Sequence, residues 1–359
     1  MCSVHASAKP RTALYCATLL LLALLSSSLT HASDNLRLKS YDIVDPQMGI
    51  PAFQVLAPQG WQVSGGMTWN PNLANLVTAN VAITPRDQQA GFYVHPAPQY
   101  ISGQIQYQWP AGQLYLGMIV APMPNSPTEF IQQLVLPQQR PGAQNVRLVS
   151  QQDMPSWANR IAAASGGQVQ GYGSRARFAY RENGRNWEED FYCVVLVAPG
   201  VNPVWLAERN LSVRAQAGKL DAMQPLASAF VNSFRMNPRW FARFNKTQRQ
   251  WIAAQQQGIA NAGALSDAIS RSNDQFDRNL TQQWQQRQQA EERASREFSE
   301  YIRDSETYYD PGSETNVELP GGYEHAWRNN LGEYLLSNDA GFNPNAHDNL
   351  TWEEMRPLQ

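Results

Sequence analysis

Between residues 41 and 240 the hydrophobic positions fall mostly two apart. F53-Q-V-L and W61-Q-V alternate on either side of Pro58-Gln59-Gly60, and V77-T-A-N-V-A-I83, G91-F-Y-V94 and Q113-L-Y-L-G-M-I-V120 continue in β-branched and aromatic residues. That period belongs to half-buried strands. Residues 41–140 also hold twelve prolines and only six charged residues, a mixture that suits strand and loop rather than long helix. R175-A-R-F-A-Y-R181 and W187-E-E-D-F-Y-C-V-V-L-V197 flank Asn183-Gly184, a pair that accepts positive φ and so predicts a tight hairpin. V204-W-L-A-E-R-N-L-S-V213 predicts one more strand.

Helical spacing interrupts these strands three times. Ser126-Pro127-Thr128-Glu129 supplies a capping hydroxyl, a first-turn proline and a carboxylate that reaches back, ahead of F130-I-Q-Q-L134. Asp153-Met154 opens a second helix from Pro155 to Ala164, which Gly166-Gly167 stops. Leu220 to Phe234 places Leu220, Met223, Leu226, Ala227, Phe230 and Phe234 on one stripe. The fold class expected for residues 41–240 is therefore α+β, a mostly antiparallel sheet covered by helices.

The pattern changes twice more. Residues 241–305 are polar and rich in glutamine, with twelve Gln between Gln248 and Gln289 and no proline from Arg239 to Asp310. Apolar residues there recur three, four or seven apart, which predicts a long helical segment with one narrow, coiled-coil-like stripe. That stripe either packs back on its own domain or pairs with a partner helix. Residues 306–359 alternate again, in N316-V-E-L-P, Y323-E-H-A-W327 and E333-Y-L-L-S337, and predict a small aromatic β-meander. A sheet that small is marginal alone and leans on something larger.

The N-terminus alters how the composition is read. Lys9 and Arg11 precede an apolar run from Leu14 to Leu25, and small residues follow to Ala32, the layout of an export signal over residues 1–32. Twelve apolar residues are too few for a bilayer span of about 20. Cleavage would leave 26 basic against 30 acidic residues and a single cysteine, Cys193, inside an apolar strand. An internal disulfide is then excluded, and nothing resembles the basic footprint of a nucleic-acid partner. The expected location is periplasmic or secreted, with no membrane span after cleavage.

The stretch F-x-V-x-x-P-x-G-W at Phe53, Val55, Pro58, Gly60 and Trp61 resembles the first hairpin of PsbP-like domains, and a helix ending in Ser233-Phe234-Arg235 resembles their last element. The resemblance covers residues 41–240 and implies a PsbP-like sandwich with a binding or assembly role. It carries over no metal, cofactor or catalytic residue. W-x-N-x-x-G-E-Y in W327-R-N-N-L-G-E-Y334 is similar to bacterial secreted proteins that join such a domain to a polar helix and a short aromatic unit. That likeness implies no activity.

Candidate chemistry is sparse. Beyond the signal the histidines are His95, His325 and His347, no two close in sequence, and no metal, nucleotide or serine-hydrolase motif occurs. Neither a cofactor, a metal nor a catalytic residue is assigned. Glu188-Glu189-Asp190 reads as a solvated strand edge, and His325 and Glu324 as pointing to opposite faces of one strand. Tyr308, Tyr309, Tyr323, Trp327, Tyr334 and Trp352 are either the core of the C-terminal unit or an exposed aromatic face. In the second case Tyr323, His325, Trp327, Tyr334 and Trp352 would bind a ligand. Three functions stay open. The first is an exported, non-enzymatic binding or assembly module, meeting a protein or envelope polymer through residues 249–303 or the aromatic unit. The others are a hydrolase of an envelope or extracellular polymer, and an oligomeric spacer. An enzyme predicts a deep pocket where His95, His325 or a carboxylate pair meets a hydroxyl or a bound metal. A binding module predicts a shallow aromatic face and no convergent titratable groups.

Overall fold

The computed structural model of the protein describes residues 35–165, 169–256 and 305–358. The signal-like segment and most of the glutamine-rich segment lie outside these residues, so neither expectation is met or refused by the fold. The chain begins with β1 (Leu36–Asp45), β2 (Ile50–Pro58), β3 (Gln62–Trp69), β4 (Val77–Thr84), β5 (Ala90–Val94) and β6 (Gln99–Ile101). The short strands β7 (Leu114–Tyr115) and β8 (Met118–Val120) precede α1 (Pro127–Phe130), a π turn over Ile131–Val135, and α2 (Leu136–Gln139). Next come β9 (Gln144–Asp153), α3 (Pro155–Ala164), β10 (Gln170–Glu182), β11 (Arg185–Ala198) and β12 (Val204–Gln216). Then follow α4 (Gln224–Asn232), β13 (Arg235–Met236) and α5 (Pro238–Gln256). The chain closes with β14 (Ser305–Asp310), β15 (Thr315–Pro320), β16 (His325–Asn329), β17 (Tyr334–Ser337) and β18 (Trp352–Met355).

Two curled sheets dominate. The larger runs β3-β4-β5-β12-β11-β10-β9, with β6, β7 and β8 attached at the end of β12; the smaller runs β13-β2-β1-β17-β16-β18. Strand accounts for about 47% of the described residues and helix for about 22%. This corrects the α+β expectation: a second sheet, not a layer of helices, closes most of one face of the first. The stretch from Phe53 to Trp61 is likewise no hairpin. β2 pairs with β1 and β13, whereas β3 pairs with β4, so the Pro58-Gln59-Gly60 corner carries the chain from one sheet to the other. Alternation marked both strands correctly but could not say that they part company, because pairing partners are not written in the period.

Several local readings hold. Asn183 and Gly184 both have positive φ, 51° and 76°, and the turn they make launches a ladder from Glu182↔Arg185 to Gln170↔Val197. Ser126 caps α1 by accepting from the Glu129 backbone N–H at 3.1 Å, while the Glu129 carboxylate reaches the Asn125 N–H at 2.7 Å. The π turn precedes Pro137, which has no N–H to return to Gln133 and widens the helix there. Of the C-terminal strands, β14 and β15 form a separate two-stranded sheet, while β16, β17 and β18 join the small sheet, where β17 pairs with β1, Leu36↔Leu336 to Leu38↔Tyr334.

The main core lies between the two sheets. Phe53, Val55 and Ala57 of β2 meet Val81, Ile83, Phe92, Val94, Leu211 and Val213 of the large sheet, and α3, α4 and α5 plug the sides with Trp157, Phe230 and Trp240. A second core fills the opposite face of the large sheet, where Phe130, Ile131 and Val135 cover Phe178, Phe191, Cys193 and Trp205. Cys193 is fully buried there, and burial pushes its thiol up, so it serves as a small apolar side chain.

Candidate functional site

β12 changes partner along its length. Leu211 to Ala215 pair with β5, Val204 to Leu206 pair with β6, and a bulge opposite Val194 and Val195 lies between. Where β5 ends and the two registers separate, the sheets leave a cavity of about 210 Å³. Its walls are mostly apolar, with Phe53, Val77, Val94, Leu211, Phe234 and Phe244 among them. An engineered cavity of ~150 Å³ admits benzene, so this one has room for a small organic molecule.

Two devices hold the walls. Asp45, fully buried, accepts from the indole N–H groups of Trp69 at 3.0 Å and Trp240 at 2.7 Å, and so ties the end of β1 to β3 and to α5. Trp240 then stacks on Phe244 at 5.1 Å. On the other wall the Arg209 guanidinium lies 4.8 Å from the Phe234 ring centroid, a cation–π contact, and pairs at 3.4 Å with the carboxylate of Glu208, which also lines the cavity, so an ion pair sits at the edge of the apolar space. Asn75 and Asn210 also border the cavity and donate their amides to the Ala97 and Pro96 carbonyls. The Asn210 side-chain oxygen is buried and accepts nothing.

Behind the cavity, on the other face of the large sheet, lies a buried polar network. Glu189 is fully buried and takes a forked ion pair from Arg140, at 2.7 and 3.0 Å, with the Tyr180 and Ser212 hydroxyls completing its shell. Burial alone would raise the Glu189 carboxyl, yet Arg140 brings it down to about 2. Arg140 also lies 4.2 Å from the Tyr93 ring centroid. His95 Nε2 meets the Ser212 Oγ at 2.8 Å.

A histidine, a serine and a carboxylate in contact invite comparison with a nucleophilic triad, but the protons run the wrong way. The Glu189 carboxylate can only accept, so the Ser212 hydroxyl donates to it, and His95 must donate its Nε2–H to the serine. His95 Nδ1 is then an acceptor, and the side chain set against the ring there is Gln139 rather than a carboxylate. A working triad needs the histidine to receive the serine proton and the acid to bond the far side of the ring. Burial also pushes the His95 imidazolium down to about 4, so the ring is neutral near pH 7.

The expectation of a solvated edge at Glu188-Glu189-Asp190 is therefore corrected at two of the three positions. Glu189 and Asp190 are both fully buried, on opposite faces of β11 as strand geometry demands. Arg175 and Arg177 hold Asp190 at 2.6 and 2.8 Å. Glu189 finds Arg140 and Ser212 in remote segments that no local pattern reveals, whereas Asp190 faces Arg177 directly across the hairpin expected at Asn183-Gly184.

Most of the aromatic residues singled out in the C-terminal unit are packed rather than displayed. Trp327 and Trp352 are buried together with Leu335, and Arg37 covers Trp352 at 5.0 Å. Tyr334 is buried with its hydroxyl on Asp310 at 2.6 Å, and it borders a second, more polar cavity of about 190 Å³ with Arg328 and Ser313. Tyr323 packs beside the core of that unit. His325 is half-buried, bonds Glu354 of β18 at 2.8 Å and stacks on Trp327. Sequence grouped these residues by composition, but their alternation turns Trp327 and Tyr334 inward. The residues missed, Phe53, Arg209, Phe234 and Trp240, come from four separated segments. Phe53 and Phe234 stood in the stretches that carry the PsbP-like resemblance, and Phe234 also ended an apolar stripe, but nothing in the sequence marked Arg209 or Trp240 as part of a site.

Among the described residues no cluster of histidine, cysteine or carboxylate groups suits a metal ion, and no helix is long and apolar enough to cross a membrane. No protein-family model and no curated protein matches the chain.

Proposed function

We propose that the protein is an exported, non-enzymatic binding module that takes a small molecule with an apolar body and one polar end into the cavity between its sheets. The observation that carries this reading is the cavity itself: aromatic and aliphatic walls, fixed by Asp45, with the Arg209–Glu208 ion pair among its lining residues. Ligand sites of this kind are mainly apolar, with few polar groups to set orientation. The apolar body fills the space between Phe53, Val94 and Phe244, and the polar end lies toward the Arg209–Glu208 pair. The unpartnered Asn210 oxygen accepts from a ligand hydroxyl or a water. Hydrolysis of a polymer is the weaker reading, because the one histidine–serine contact donates in the wrong direction and Ser212 is fully buried.

The test is thermal stabilisation by a graded series of phenylalkanoates and straight-chain alkanoates. A ligand that binds only the folded state raises the melting temperature with its concentration. Stabilisation should peak at one chain length, weaken when a methyl group replaces the carboxylate, and vanish in Ala79→Phe, which puts a ring into the cavity from its wall. Equal stabilisation of Ala79→Phe and the parent would overturn the reading.

A further inference from the structure

Charged residues make up 16% of the chain, yet three long stretches have none: Pro46 to Pro85, Gln88 to Thr128 and Phe191 to Ala207. The fold brings a loop from each stretch to one end of the large sheet. The Ala74 N–H donates to the Gly117 carbonyl at 2.8 Å, and a side chain at Gly117 would collide with the Ala74 nitrogen, so loop 70–75 and the β7–β8 turn are in contact. The Ile105 N–H donates to the Asn202 side chain at 2.8 Å and the Ser102 N–H to the Pro203 carbonyl at 3.0 Å, which joins segment 103–123 to loop 198–203.

This uncharged end displays large apolar groups. Tyr107 is 91% exposed, Leu116 76% and Val201 67%, with Leu114 and Trp109 exposed beside them. Single exposed apolar residues are ordinary on any surface. Here five share one end of the molecule, on segments that themselves hold no charge. Leu116 adds an independent observation. It sits at φ +49°, in the left-handed region where a branched side chain is disfavoured, directly before Gly117, which takes that conformation freely. The strain holds an aliphatic side chain out in water at the tip of a turn, where it contributes nothing to the core.

We propose that this end of the molecule docks into the interfacial zone of a lipid bilayer. Tyrosine and tryptophan favour headgroup depth, where the ring is buried and the polar atom stays wet. A charge carried to that depth would be costly, and none of the three loops has one. Insertion stays shallow, because turn backbone needs water or headgroups for its unpaired polar groups. With no cations in the loops, attachment depends on apolar area rather than attraction to anionic lipid.

The test is flotation of residues 33–359, which contain every described element and omit the apolar run near the N-terminus. The vesicles are phosphatidylcholine alone and phosphatidylcholine mixed with phosphatidylglycerol, each at low and high salt. The expected result is equal binding to both vesicles at both salts. Leu116→Gly and Val201→Ser together should weaken it by about tenfold or more. Leu116→Gly alone should melt no lower than the parent, since it relieves the backbone strain, so lost binding cannot be put down to unfolding. Three results would each overturn the proposal: no binding to either vesicle, binding that needs phosphatidylglycerol and is lost in high salt, or unchanged binding by the double variant. Self-association lost in the double variant, without vesicle binding, would assign the surface to a protein contact instead and equally refute it.

Discussion

Glu189 and His95 show how much of the interior is decided by single polar residues. A buried carboxylate without a counter-charge is costly, and replacing one partner of a buried pair typically loses ~3–5 kcal/mol. Arg140→Met should therefore destabilise the fold by about that amount in urea unfolding, whereas the double change Arg140→Met with Glu189→Leu should recover much of it. The same network makes the protein acid-labile. His95 titrates at about 4 when folded against an ordinary 6.5, so the unfolded chain binds the extra proton between those values. That part of the stability is whole above pH 6.5 and is lost as pH falls toward 4. Glu189, held at about 2 against an ordinary 4.5, adds a loss below pH 4.5. Unfolding free energy measured from pH 7 to pH 4 should fall steadily, and His95→Gln should flatten the decline. Little of this was legible beforehand. Cys193 in its apolar run announced its burial, but Glu189 finds Arg140 49 positions away and Ser212 23 positions away.

At the scale of elements, local chemistry was the more readable part. The Asn183-Gly184 turn and the Ser126 cap were visible because their hydrogen bonds close within four residues. Each has a measurable cost. Gly184→Val forces a β-branched residue to positive φ and should cost roughly 1–2 kcal/mol, and Ser126→Ala about 1 kcal/mol, both read as a shifted urea midpoint with unchanged slope. Q113-L-Y-L-G-M-I-V120 shows the limit. Alternation predicted one strand, but Gly117 breaks it into β7 and β8 around a tight turn, and Leu116 is thrown outward. Phe53 to Trp61 fails in a similar way: both strands exist, yet the corner between them changes sheet, a choice made by core packing on either side.

For the whole molecule, the unexpected feature is that the two ends of the described chain share a sheet. Leu36 pairs with Leu336 and Leu38 with Tyr334, so β16, β17 and β18 complete a sheet that β1 and β2 begin. Periodicity could place those strands but not their neighbours, since 300 residues lie between partners. Leu336→Ala removes a fully buried side chain at that seam and should cost ~2–5 kcal/mol, with probes on β2 and β17 unfolding together. The second sheet also explains why a ligand cavity exists at all. Two curled sheets diverge where β12 changes partner, and α5, pinned through Trp240 to Asp45, seals the gap only partly. The most direct measurement is calorimetric titration of 4-phenylbutanoate into the parent and into Ala79→Phe. A saturable one-to-one heat with a negative heat-capacity change in the parent, and none in Ala79→Phe, is the predicted result. No heat in either protein, or the same heat in both, would contradict the assignment of the cavity as the binding site.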